Sequence, residues 1–129
     1  MASAVSTAGN PHCHLILRGG DKGPNFDPDS IKQTRDTLLK HNLAPGIMVD
    51  ASHANCGKDC TRMPGVFEDI VKQRAKGDCS IIGAMLESHL EANAQKFPQP
   101  LDQLKYGQSI TDQCIDWETT SRIVREAAL

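Results

Sequence analysis

No stretch of this 129-residue chain approaches the roughly 20 consecutive apolar residues that a bilayer-spanning helix requires. The opening MASAVSTAGN has neither the basic start nor the apolar core of a secretory leader. The expectation is a soluble, cytoplasmic protein without a membrane partner. Nor does one sign of charge dominate. The 14 Lys+Arg and 16 Asp+Glu give a formal net charge of -2, so no broad basic field exists to recruit nucleic acid, and any anion must be held by a local constellation. The five cysteines are an odd count in a chain with ordinary hydrophobic helices. That argues against a secreted disulfide framework and for reduced thiols, most of them acting as small packing residues. No internal repeat or low-complexity tract interrupts the chain.

What is present is an alternation of short apolar runs and helical patterns. Cys13 to Leu17 is an apolar run that stops at Arg18-Gly19-Gly20, a buried strand followed by a glycine turn. Asp27-Pro28 then supplies an N-cap and a first-turn proline. Ile31, Thr34, Leu38 and Leu39 recur at helical spacing up to about His41. Gly46 to Val49 reads as a second strand and is followed by a polar stretch to Cys60. Met63, Val66, Phe67, Ile70 and Val71 mark a second helix, which Gly77 can end in the left-handed conformation. Ser80 to Leu86 is a third strand. A long loop containing Pro98, Pro100 and Gly107 leads to a last helix from about Asp116 to Ala127, with Trp117, Ile123 and Val124 as its larger apolar residues. Three such units predict an α/β fold with parallel strands, each apolar along its length because both faces are covered. Periodicity leaves an open doubly wound sheet and a closed barrel both possible. A whole β/α barrel takes about 250 residues, and three strands alone would have two unpaired edges. The chain is therefore expected to be incomplete by itself.

In parallel βα folds the ligand site lies at the C-terminal strand ends, and the unusual polar residues fall there. Arg18 ends the first strand, His53 follows the second, Glu87 ends the third, and Asp112 precedes the last helix. Arg18 offers a planar fork of donors for phosphate or carboxylate, and Gly19 and Gly20 would let backbone amides approach an anion; the alternative is a solvated arginine at a glycine turn. His53, Glu87 and Asp112 make a mixed nitrogen and oxygen set suited to Mn²⁺, Fe²⁺, Co²⁺ or Zn²⁺. Taken singly, they read more often as a loop histidine hydrogen-bonded through Ser52 or Asn55, a helix-capping acid and a turn residue; it is their joint placement that raises the metal reading. The C-x3-C pair Cys56 and Cys60 lacks the second ligand pair of a structural zinc site and reads as two reduced thiols. His14 reads as a core or rim histidine, His89 as a residue that could support a ligand from behind, and Trp117 as a packing residue.

Read together, GNPHCHLILRGG, IMVDASHAN, IIGAMLESHL and YGQSITDQCIDWE resemble, in collinear order and over nearly the whole chain, the C-terminal part of the 3-deoxy-7-phosphoheptulonate (DAHP) synthases shared by bacteria and fungi. The resemblance implies the last three βα units of a (β/α)8 TIM barrel, with residues 1–129 forming the C-terminal portion of the barrel domain and residues 1–10 an interior loop. It implies an aldol-type condensation of phosphoenolpyruvate with erythrose 4-phosphate, releasing phosphate, at the entry to the shikimate route to aromatic amino acids. It also implies a divalent metal (Mn, Co, Fe or Zn) and a homo-oligomer of the full-length enzyme. By motif, Arg18 of LRGG is similar to an arginine that holds phosphoenolpyruvate. His53 of SHAN, Glu87 of ESH and Asp112 of SITD are similar to metal ligands. The family's remaining ligand, an early cysteine, has no counterpart here, nor does its lysine- and arginine-rich substrate motif. Cys13, Cys56, Cys60, Cys79 and Cys114 fall where the resemblance assigns no ligand. The alternative is a noncatalytic remnant or partner that binds metal or docks onto a complementary barrel fragment.

Overall fold

A computed structural model describes residues 3–128. Three strands, β1 (Leu15–Leu17), β2 (Ile47–Asp50) and β3 (Ile81–Met85), alternate with three helices, α1 (Pro28–Lys40), α2 (Met63–Ala75) and α3 (Trp117–Ala127). The strands pair in parallel in the order β1-β2-β3. Leu15 stands opposite Ile47 and Leu17 opposite Val49. The ladder between β2 and β3 slips by one residue after the Ile47–Ile81 pair, so that Met48 faces Gly83. A Cβ on Gly83 would lie 3.0 Å from Met48 Cε, so glycine there makes room for the methionine. Both outer strands are shorter than their apolar runs, because a ladder extends only as far as a partner strand does.

The helix boundaries follow local chemistry. The Asp27 carboxylate accepts from Ser30 N at 2.9 Å and from Ser30 Oγ at 2.6 Å, and Pro28 occupies the first turn, where its missing N–H costs nothing. Helix α2 continues a 3-10 turn at Cys60–Arg62. It ends just before Gly77, whose φ of 106° only glycine adopts freely. Asp116 caps α3 by accepting from Thr119 N at 2.7 Å.

One core joins the sheet to all three helices: Leu17, Ile47, Val49 and Ile81 from the strands, Ile31 from α1, Met63, Val66 and Ile70 from α2, and Ile123 from α3. Burying a side chain of this size contributes roughly 1.5–3 kcal/mol. The opposite face of the sheet is different. Pleat alternation sets the register partners Ile16 and Met48 on that face, where Ile16 is 44% exposed, as is the slipped residue Ile82 at 56%. The strands are thus covered on one face only among the described residues. Two further expectations are corrected. Leu39, Val124 and Trp117 are exposed, because the apolar stripes of α1 and α3 are wider than the surface they meet, and Trp117 does not pack into the core.

Candidate metal centre

The segment from Asp50 to Asn55 builds the floor of the site. Asp50, Ser52 and Asn55 are each fully buried, and a buried polar side chain must be hydrogen-bonded to avoid a large desolvation cost. Asp50 Oδ1 accepts from Ser52 N at 2.7 Å, and Asp50 Oδ2 lies 2.5 Å from His53 Nδ1. An ionised carboxylate is an acceptor only, so this contact favours a proton on His53 Nδ1, and a neutral ring held this way would leave its lone pair on Nε2. His53 itself has a φ of 51°, a left-handed conformation that costs a non-glycine residue energy and recurs at functional sites. Ser52 Oγ accepts from Glu87 N at 2.8 Å, which fixes the end of β3 to the loop after β2.

The third candidate arrives from the long connection between β3 and α3. Ile115 N donates to Glu87 O at 3.0 Å and His89 N to Ile115 O at 2.9 Å, so the return of the chain lies beside Glu87. The loop is held from within by Gln95, whose amide nitrogen donates to Lys105 O at 2.8 Å and Gln108 O at 2.9 Å while its oxygen accepts from Lys105 N at 2.8 Å. Cys60 N donates to Gln113 Oε1 at 3.3 Å, docking the segment next to Asp112 onto the start of α2.

These supports bring three of the four candidates together. His53 Nε2 stands 3.5 Å from Glu87 Oε1 and 3.9 Å from Asp112 Oδ2, and one ligand atom from each of the three lies within 4.8 Å of the others. The set is one imidazole nitrogen and two carboxylate oxygens, with the imidazole oriented from behind by a carboxylate, an arrangement that fixes metal-binding histidines and raises their basicity. It fits a divalent transition metal. Burial pushes the Glu87 carboxyl above its usual value; His53 lowers it, Asp112 and Asp50 raise it, and Arg18 lowers it. Two carboxylates held this close repel each other, and a bound cation would relieve that repulsion.

Arg18 is exposed at the end of β1 and close enough for its charge to act on Glu87. The expectation that Gly19 and Gly20 offer amides to an anion is corrected, because both are already used. Gly19 N donates to Asn25 Oδ1 at 2.7 Å and Gly20 N to Gly23 O at 3.0 Å. Anion recognition at this turn is therefore left to side chains, of which the Arg18 guanidinium is the candidate. His89 is exposed, its Nδ1 accepting from Leu90 N at 2.9 Å, and it does not support the cluster. His14 is exposed as well. All five cysteines are free thiols. Cys56 and Cys60 are buried, with Cys56 Sγ donating to His53 O at 3.3 Å and Cys60 Sγ to Asn93 Oδ1 at 3.5 Å. They pack the loops under the site, while Cys13 and Cys79 are exposed. The apolar groove between α2 and α3, lined by Phe67, Val71 and Ile123, contains none of the candidates.

Sequence reasoning missed Asp50, and it paired His53 with Ser52 or Asn55, whose side chains bond Glu87 N and the ends of β1 and β2 instead. An aspartate ending an apolar strand signals a buried carboxylate in need of a partner, but its position does not say which residue that partner is.

The comparisons with known proteins agree with one another. The family described as the DAHP synthetase I family matches residues 1–125. A Tyr-sensitive phospho-2-dehydro-3-deoxyheptonate aldolase of Enterobacter agglomerans is 48% identical over 122 residues, covering 95% of this chain and 57% of its own length. The Tyr-sensitive enzyme of Escherichia coli is 45% identical, covering 95% of this chain and 34% of its own. The tyrosine-inhibited enzyme of Schizosaccharomyces pombe is 44% identical, covering 99% of this chain and 35% of its own. The solved structure of the phospho-2-dehydro-3-deoxyheptonate aldolase from Francisella tularensis superposes with a TM-score of 0.87 at 38% identity, covering 95% of this chain and 35% of that one. The chain thus spans between about a third and just over half the length of these relatives. With its motifs in order and nearly its whole length matched, the chain belongs to the DAHP synthetase I family.

Proposed function

We propose that residues 1–129 form the C-terminal three βα units of a (β/α)8 barrel domain, residues 1–10 being an interior loop of it, and that they supply part of a DAHP synthase active site. Support for the barrel comes from a strand order without reversal, helices sharing one core, and an apolar sheet face and two outer strand edges that further strands would cover. The observation that carries the function is the convergence of His53, Glu87 and Asp112 at the strand ends in a chain of this family.

In this reading His53 Nε2, Glu87 and Asp112 hold a divalent cation, Mn²⁺, Co²⁺, Fe²⁺ or Zn²⁺, whose contribution when bound is Lewis-acid polarisation of a carbonyl oxygen. Arg18 binds phosphoenolpyruvate through its planar fork of donors, and Asp50 keeps the His53 ring in the tautomer that a ligand needs. The reaction is the aldol-type condensation of phosphoenolpyruvate with erythrose 4-phosphate, with release of phosphate. Holding both substrates in line is the larger part of such catalysis. The remaining cationic groups and one ligand come from barrel units outside this chain, within a cytoplasmic homo-oligomer; five free thiols and the absence, among the described residues, of a helix long and apolar enough to cross a membrane accord with that location.

The test is phosphate release from phosphoenolpyruvate plus erythrose 4-phosphate with Mn²⁺, using this chain alone and after mixing with the upstream two thirds of the Escherichia coli relative. Activity on mixing alone is the expected result. Activity of the chain alone would refute its incompleteness. Silence in a mixture shown by sedimentation to be folded and associated would favour a noncatalytic partner.

A further inference from the structure

We infer that Asn55, acting through Asn25, is the positioning element that sets Arg18 against the metal-ligand loop, so that the anion-binding and metal-binding halves of the site form one preorganised unit. The inference deepens the proposed function and rests on its reading of Arg18 and of the His53 cluster.

Asn55 is fully buried and commits its whole side chain to three different pieces of backbone. Its amide nitrogen donates to Asp50 O at 2.7 Å, where β2 ends, and to Leu17 O at 3.2 Å, where β1 ends. Its oxygen accepts from Asn25 N at 2.8 Å. Asn25 in turn accepts Gly19 N on its own Oδ1 at 2.7 Å. The residue on one side of Gly19 is Arg18, and the residue two before Asn55 is His53. The relay therefore ties the residue next to the guanidinium to the loop carrying the imidazole. A second, steric observation points the same way. Gly19 sits directly on this loop: a Cβ there would fall 2.8 Å from Ala54 Cβ and 2.9 Å from Asn55 N, at a φ of +73°. Hydrogen bonding and close packing both fix the Arg18 turn to the SHAN loop, and neither involves a metal ligand. Since the Gly19 amide is consumed in this locking and the Gly20 amide in the turn's own bond to Gly23 O, the turn serves to aim Arg18.

Asn25 is the residue to change, because it is only half-buried and its loss leaves the bonds of Asn55 to both strands in place. In the full chain, Asn25→Ala should accelerate hydrogen exchange of the Gly19 amide by about tenfold, the loss of one intramolecular hydrogen bond. Inorganic phosphate, titrated against the Arg18 Nε–H resonance, should bind about three- to tenfold more weakly once Arg18 is no longer held. Mn²⁺ affinity should stay within about twofold, since Asn25 shares no partner with the ligands. Asn25→Asp, which keeps the acceptor, should restore Gly19 protection; a general loosening of the loop would not be rescued this way. Unchanged Gly19 exchange in Asn25→Ala overturns the relay, and accelerated exchange with undiminished phosphate affinity overturns its positioning role. A wild-type chain that binds Mn²⁺ but gives no phosphate response removes the Arg18 assignment and this inference with it. Phosphate binding without Mn²⁺ binding sinks the metal assignment and the joint unit, while Gly19 exchange still decides whether the relay holds the turn.

Discussion

Replacing Asp50 by asparagine alters one atom's chemistry without altering the packing, and its effect on metal binding can be worked out from the hydrogen bonds. In the native chain Oδ2 receives the proton of His53 Nδ1 at 2.5 Å while Oδ1 receives Ser52 N–H at 2.7 Å. In Asp50→Asn the amide oxygen stays with Ser52 N–H, so the NH₂ group must face the imidazole. Two donors cannot face each other; the ring responds by moving its proton to Nε2, which removes the lone pair aimed at Glu87 and Asp112. The hydrogen bond survives with reversed polarity, so stability should change little. Metal affinity should fall by about 10–100-fold, or about 1.4–2.7 kcal/mol, the range for losing the group that orients a histidine ligand. The assay is an electron paramagnetic resonance titration of Mn²⁺ against the chain, paired with ¹⁵N spectra of the His53 ring to identify the protonated nitrogen. A variant that binds Mn²⁺ within about twofold of wild type, or that keeps the proton on Nδ1, would refute this account of Asp50.

Three further outcomes concern the scaffold. Gly19→Ala combines a φ of +73° with a Cβ 2.8 Å from Ala54 Cβ and should lower stability in urea by about 1–3 kcal/mol; an unchanged midpoint would show that the turn does not rest on the loop. Ile47→Ala removes a fully buried side chain from the middle strand and should cost about 2–5 kcal/mol in the same assay. Asp27→Ala should cost about 1 kcal/mol at neutral pH by removing the α1 cap. The Ser30 hydrogen bonds hold the Asp27 carboxyl below its ordinary value of 3.8. The cap's contribution is therefore present above that value and lost as the pH falls through the lower native one, so wild type and variant should converge in acid; a gap that persists there would assign the effect to packing.

The elements were legible wherever local chemistry decides them. Asp27-Pro28 announces its helix start and the apolar runs announce their strands, because capping and burial act over a few residues. The grouping of His53, Glu87 and Asp112 was legible for a topological reason, since polar residues that follow successive parallel strands converge at one end of a sheet. Its supports were not legible. That Asp50 faces His53, that Ser52 holds Glu87, and that Asn55 spans two strand ends all depend on loop conformations such as the left-handed His53, which no spacing encodes. Periodicity likewise identified the apolar stripes of α1 and α3 but not the width of the surface that would cover them, which is why Leu39, Val124 and Trp117 stand exposed. The glycines after Arg18 were read as an opening for an anion and turned out to be a lock, because the residues that occupy their amides lie in a turn without periodicity.

Prepared as these 129 residues alone, the described part of the chain has a sheet covered on one face only. Ile16 and Ile82 stand exposed on a surface bounded by edges of β1 and β3 that are unpaired among the described residues, an amphiphilic face with a template for strand addition along two sides. In that isolated form the surface should favour self-association, which sedimentation at increasing concentration would detect.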